Sequence, residues 1–517
     1  MILLQVIQDS LRTGATELDL SDQELTELPP EIGLLTQLDT LILGKWDKQK
    51  QKYAGNQLVT LPPEIGQLTN LKILHLSANK LTELPSEIGQ LTSLEVLDLS
   101  FNPFHELPPA IGQLTNLVSL NLDINKKLKT LPSEIGQLKK LESLILGLTW
   151  IDTLPPEIGQ LTNLKSLKLV ANRQIDILPP EIGQLKKLTT LSIFMHPLKE
   201  LPPEIGQLTN LRSLKISCNR HPFDTLPPEI GQLTQLESLS LDAVENIPPE
   251  IGQLENLIYL ELRGEMDELP PEIGQLKKLQ SLTLGSSHLV DLPPEIGQLP
   301  QLQSLNIRRS SISKLPPELA QLKKLASFCL HSYHLTALPP EICQLVNLKS
   351  LEIDASHFKK LLPNIKQLTN LESLSISSNL YFVILPEIYQ LTNLRELAFS
   401  WAKPEGLTSD LGKLINLTSL DLSFCEVSEL PSEIGKLTNL ESLDLSYNRL
   451  NELPEEISEL LNLRELKLQS NRFDQVPSGI LQLISLKKLN LKSNPLSTVP
   501  PELRELPHLQ LLELDTE

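Results

Sequence analysis

Cysteine is scarce in this 517-residue chain. Cys218, Cys329, Cys343 and Cys425 are scattered and form no CxxC pair. That spacing argues against a disulfide framework and for reduced thiols in a reducing compartment. Basic charge is in deficit, with 45 Lys and Arg against 64 Asp and Glu, a net charge of −19 and a pI near 5.1. A protein built to hold a nucleic-acid backbone shows the opposite balance, so no nucleic-acid partner is expected. Long apolar runs are missing. None approaches the roughly 20 residues of a membrane span, and no membrane partner is expected. The opening MILLQVIQDSLRTG has no basic region, and Gln8, Asp9 and Ser10 interrupt its apolar stretch, so it does not read as a secretory signal. A cytoplasmic location is the expectation. Aromatics, at 4%, are too few for the three or four ordinary globular domains that the length alone suggests.

What the chain has instead is leucine and 40 prolines, most of them in a recurring Leu-Pro or Leu-Pro-Pro element. The unit is clearest at 61–83, LPPEIGQLTNLKILHLSANKLTE. Anchored on the residue before proline, copies begin at Leu28, Leu61, Leu84, Leu107 and onward to Val499. Twelve of the twenty spacings are 23 residues, the rest run from 21 to 25, and one is 33. A fixed period of this length means a repeat architecture, in which length counts repeats rather than domains.

Each copy alternates apolar and polar residues where a short strand belongs, as in Leu74-His75-Leu76. Proline at the first position and glutamate in the first turn of Pro63-Glu64-Ile65-Gly66-Gln67 predict a short helical or 3-10 return segment. Gly66 is expected to let neighbouring turns pack closely. The asparagine of each unit, such as Asn79, is expected to satisfy backbone groups where the chain leaves the strand. One repeat buries too little to fold alone, so the copies must stack into a solenoid.

The pattern Leu71, Leu74, Leu76, Asn79, Leu81, repeated as Leu440, Leu443, Leu445, Asn448, Leu450, resembles the leucine-rich repeat (LRR) family. The resemblance implies an α/β fold: a right-handed β/α superhelix, or horseshoe, with a concave parallel sheet and convex helical or 3-10 turns. The expected organisation is a capping helix at 1–14, with Leu4, Ile7 and Leu11 on one face, followed by a single solenoid of about 21 repeats over 15–517. The phrase LPPEIGQLTNL is similar to the intracellular Ras-binding class and to bacterial and cyanobacterial multi-repeat proteins. That similarity implies protein partners, a small GTPase among them. The opening Gly14-Ala-Thr-Glu-Leu-Asp-Leu also resembles the repeat region of Roco GTPases, which implies the alternative of a sensor arm without its catalytic domain.

Departures from the repeat are the local functional clues. The 33-residue spacing holds an insertion at 44–55 with Lys45, Trp46, Lys48, Lys50, Lys52 and Tyr53, a basic aromatic loop suited to touching a partner. His221-Pro222-Phe223-Asp224 lengthens another turn. Gly406 to Lys413 superficially resembles a phosphate loop, but five residues separate its glycines and Leu414 stands where Ser or Thr is required. The asparagine position holds Asn in nine repeats and drifts elsewhere, for example to Val244, Glu265, Ser287, Ser310, Tyr333 and Ser356.

Serine fills the first outward strand position in most repeats, from Ser119 to Ser442. Against that quiet background the middle repeats carry Tyr259, Glu261 and Arg263, then Arg308 and Arg309, then Cys329 and His331, then Glu352 and Asp354. Arg and Tyr are favoured at interface hot spots, so these residues and Trp46 form the candidate protein-binding set. Cys329 and His331 share a strand face, and His288, His334 and His357 share a column. A linear stack controls tetrahedral geometry poorly, so these are read as metal-free, with no cofactor expected.

No HExxH, GxSxG, dinucleotide-binding glycine pattern or kinase signature occurs. The chain is therefore read as a non-enzyme: an interaction scaffold binding a protein or peptide on the concave face at its middle repeats, in signal transduction. Self-assembly is a further alternative. A monomer or weak homodimer through the terminal repeat is expected, because the last strand (Leu512, Leu514) has no capping element after it.

Overall fold

The computed structural model describes residues 2–171, 175–218, 223–358, 363–403 and 407–515. The chain divides into two compact units, Met1–Gly264 and Glu265–Glu517. Each is a solenoid in which one repeat supplies one strand and one 3-10 turn. His221 and Pro222 of the lengthened turn, and Gly406 of the loop that fails as a phosphate binder, lie outside the described residues.

Within each unit neighbouring repeat strands run parallel with their leucines aligned. Leu74 pairs with Leu97 and Leu97 with Leu120; in the second unit Leu420 pairs with Leu443 and Leu443 with Leu466. These leucines point inward and are fully buried, together with Ile65, Leu68, Leu71 and Leu81 of the same repeat. Each contributes about 1.5–3 kcal/mol, shared with the repeats on either side.

The return segments are 3-10 helices. At Pro63–Gln67 the preceding Pro62 is extended (φ −69°, ψ 145°), its carbonyl accepts from the Ile65 amide, and Leu68 closes the turn on the Ile65 carbonyl. Proline at the first position loses nothing, because that amide has no partner inside a helix. Glycine at position 66 is a packing requirement. A Cβ there would stand 2.6 Å from the Glu87 carbonyl oxygen of the next repeat.

At the start, a helix spans Ile2–Thr13 and stops at Gly14, whose φ of +65° is left-handed. Only Ile7 of the expected apolar stripe is buried; Leu4 and Leu11 stay exposed. No helix among the described residues is long and apolar enough to cross a membrane.

The asparagine position explains most of the variation between repeats. At Asn102 the preceding Phe101 is left-handed (φ 55°), which turns the chain out of the sheet and the amide inward. The Asn102 side chain donates to the carbonyls of Leu76, Leu99 and Ser100 and accepts from the Leu81 amide. Its own strand is only Val96–Asp98. In the drifted repeats Ser281–Ser286, Ser327–Ser332 and Ser350–Ala355 the strand runs on for six residues. No left-handed residue interrupts these strands, so the two-residue alternation continues and the buried position arrives one residue early. Counting from the strand leucines assigns Ser287, Tyr333 and Ser356 to the asparagine position. The structure puts Ser286, Ser332 and Ala355 there instead, and leaves Tyr333 exposed. Ser286 and Ser332 each donate one hydrogen bond to a carbonyl of the preceding repeat, Met266 and Ile312.

Candidate binding surface

In the first unit the insertion is a β-hairpin. Its arms lie within Thr40–Asp47 and Lys52–Ala54, with Trp46 opposite Tyr53. Trp46 is exposed and packs edge-on against Tyr53 at 4.8 Å, and Tyr53 leans on Phe101 at 4.1 Å. Burial first, then the Asp123 and Asp98 charges, raise the Tyr53 phenol above its ordinary value. Lys45 pairs with Asp19 and Lys50 with Asp22 and Asp47, so the hairpin is less basic than its sequence suggests.

Tyr259, Glu261 and Arg263 lie along one face of the strand Tyr259–Gly264 and close on one another. Glu261 accepts from the Tyr259 hydroxyl at 2.8 Å and from Ser240 at 2.9 Å, and Arg263 sits 2.6 Å away. Burial and the bond to Glu261 push the Tyr259 phenol up to about 12. Burial alone would raise the Glu261 carboxyl, but the Tyr259 and Ser240 hydrogen bonds and the Arg263 and Lys215 charges outweigh it and hold it low. The three residues form a satisfied local network.

In the second unit Arg308 and Arg309 end the strand Ser304–Ser310, and both are exposed. Arg308 lies on the sheet face and donates to the Asn306 side chain at 3.1 Å. Arg309 has a left-handed backbone (φ 51°), so it leaves the face while Ser310 turns inward. Neither arginine makes an ion pair among the described residues.

On the next two strands Cys329 stands opposite Glu352 and His331 opposite Asp354. His331 Nε2 is 3.0 Å from a Glu352 oxygen. The Cys329 sulfur, His331 nitrogen and Glu352 oxygen all lie within 4.8 Å of one another. Burial, then the Glu352 charge, push the Cys329 thiol up to about 12. Burial opposes ionisation of Glu352 as well, but the hydrogen bonds from His331 and Cys329 outweigh it and lower its pKa. Asp354 is exposed on the same face. Of the other histidines, His334 and His357 stack at 6.2 Å and His288 faces Asp267 at 3.6 Å.

Sequence reasoning missed a stack of aromatic rings. Phe424 and Tyr447 are parallel at 4.2 Å, and Trp401 lies 5.4 Å from Phe424. All three occupy the left-handed position just before the asparagine position. Reading that column down the repeats would have found them.

A leucine-rich repeat region is recognised at residues 60–130, 158–257, 295–410 and 403–517. No curated protein sequence matches the chain. Among solved structures, a leucine-rich repeat protein of Leptospira interrogans is 31% identical, with 98% of each chain covered and a TM-score of 0.51. The plant peptide hormone receptor RGFR1 in complex with RGF2 is 29% identical, over 96% of this chain and 85% of that one, with a TM-score of 0.60. The Arabidopsis receptor kinase HAESA, in complex with the peptide hormone IDA and the co-receptor SERK1, is 27% identical over 98% and 91%, with a TM-score of 0.57. The chain belongs to the leucine-rich repeat family, whose fold supports a protein-interaction scaffold in general.

Proposed function

We propose that this protein is a non-catalytic interaction scaffold that takes a protein or peptide on its exposed sheet face, centred on Arg308 and Arg309. One observation carries the reading. Arg308 is exposed on a serine-rich sheet face, the exposed Arg309 follows it at the edge where the chain leaves that face, and neither makes an ion pair among the described residues, whereas Arg263 and Lys467 on other repeat strands are paired. An unpaired arginine offers five donors in a planar fork and suits a carboxylate on a partner. The ligand is accordingly an acidic segment. The similarity to RGFR1 in complex with RGF2, and to HAESA in complex with the peptide hormone IDA, supports a peptide or protein ligand. The four free thiols support a reducing compartment, and the similarity to Ras-binding repeats makes a small GTPase one partner to try.

The test is affinity capture with the wild type, with Arg308→Glu/Arg309→Glu and with Trp46→Ala, followed by calorimetry on the identified partner. The partner should be held by the wild type and by Trp46→Ala and lose at least about tenfold in affinity with the double variant, an amount in keeping with losing a hot spot. Equal binding by the double variant moves the site off this face.

A further inference from the structure

We propose that Cys329, His331 and Glu352 form a binding site for a divalent transition-metal ion of the zinc class. The proposal is independent of the partner reading above. It revises the expectation, drawn from sequence, that these residues are metal-free.

The fold supplies the geometry. Cys329 and His331 are two apart on one strand and therefore share a face, and Glu352 is the direct neighbour of Cys329 on the next parallel strand. Two rigid strands thus present three different donors to one point, each pair within 4.8 Å. Tetrahedral zinc, with bonds of about 2.0–2.3 Å to nitrogen, oxygen and sulfur, holds its ligands roughly 3.3–3.7 Å apart. The His331–Glu352 separation of 3.0 Å is a few tenths of an ångström shorter than that, so these two open slightly around the ion and closure falls mainly to the sulfur. Among the described residues this is the one place where three such groups converge.

The donor set chooses the ion. A thiolate, an imidazole and a carboxylate suit zinc and its borderline neighbours, and the sulfur disfavours calcium and magnesium. On binding, the Cys329 S–H bond breaks and its proton goes to solvent, while the sulfur lone pair forms the metal–sulfur bond. His331 gives its Nε2 lone pair with its proton on Nδ1, and Glu352 binds as the carboxylate. Nothing is oxidised or reduced. The thiolate and carboxylate together neutralise a divalent ion, and the fourth position faces solvent on the sheet face.

Cobalt(II) is the probe, because a cobalt–thiolate bond gives a charge-transfer band in the near ultraviolet. The wild type should titrate to one equivalent with this band, and zinc should displace the cobalt. Cys329→Ser should abolish the band. His331→Ala and Glu352→Gln should weaken binding by about tenfold or more, at least the effect of losing an outer-shell partner. Cys343→Ser, at a buried thiol in the 3-10 turn Pro340–Gln344, should leave the band unchanged. Circular dichroism checks that each variant is folded, and Glu352→Gln alters a half-exposed side chain that the fold tolerates. The proposal is overturned by absence of the band in the wild type, by its survival in Cys329→Ser, or by its loss in Cys343→Ser.

Discussion

Repeats closed by asparagine and repeats closed by serine differ in how long they stay in the sheet. Those ending at Asn102, Asn448 and Asn471 leave after three residues, and the amide replaces the ladder with bonds to the backbone. Those ending at Ser286 and Ser332 remain for six. Within the second unit, the narrow strands Ser442–Asp444 and Glu465–Lys467 carry charges that pair, Asp444 with Lys467. The wide ones carry His331 and Asp354 on positions that the narrow repeats do not have in the sheet. Serine at this position goes with a wider sheet face, whereas Cys425 keeps the narrow strand Ser419–Asp421, and Arg308, His331 and Asp354 sit on the widened part. Drift at one buried position changes the surface available to a ligand.

The largest expected break of this contrast is Asn102→Ala. It removes four hydrogen bonds at a buried site and leaves the Leu81 amide without its acceptor, while the three carbonyls keep the donors Asn79, Asn125 and the Ala78 amide, at a cost of about 2–3 kcal/mol. Urea unfolding followed by circular dichroism measures it, and the loss should be local to neighbouring repeats in hydrogen exchange. His196 shows a third way of filling the same position. It is fully buried, and burial draws its imidazole down to about 4. The unfolded chain holds its proton below about 6.5, so between pH 6.5 and 4 the unfolded state binds more protons. The neutral form's contribution is complete above pH 6.5 and is lost as pH falls through this window, to about 3 kcal/mol at pH 4. His196→Asn should remove that slope from the wild-type difference in thermal melts at pH 7 and pH 4.5.

Smaller effects sharpen the comparison. Ser332→Ala removes one donated bond and one long bond accepted from the His334 amide, and should cost about 1 kcal/mol, below Asn102→Ala. If the two cost the same in urea, serine and asparagine are not distinct closures. Ala78→Gly should stabilise by up to about 1 kcal/mol, because Ala78 holds a left-handed φ of 53° that glycine adopts freely. In the serine-closed repeats with six-residue strands the equivalent position is not left-handed, so His331→Gly should give no such gain.

The leucine spacing carried the strands, the 3-10 turns and the family, because aligned aliphatics every 23 residues leave one way to bury them. Gly66 was legible as a packing position for the same reason. The shift from Tyr333 to Ser332 was not legible. It depends on whether the preceding residue turns left-handed, and Phe101, Arg309 and His331 give no rule for that. The swing of Glu352 onto His331 and Cys329 depends on a side-chain rotamer, which strand counting does not set. Tyr53 looked like an exposed loop residue, and only the hairpin register showed its ring returning to Phe101.

The central claim is that the widened sheet face, not the narrow one, receives the partner. The direct measurement compares partner affinity after charge reversal on each, Arg308→Glu/Arg309→Glu on the wide repeats and Lys467→Glu/Lys488→Glu on the narrow ones. The account predicts a loss of at least about tenfold for the first pair and little change for the second. A loss confined to the second pair, or equal in both, would contradict it.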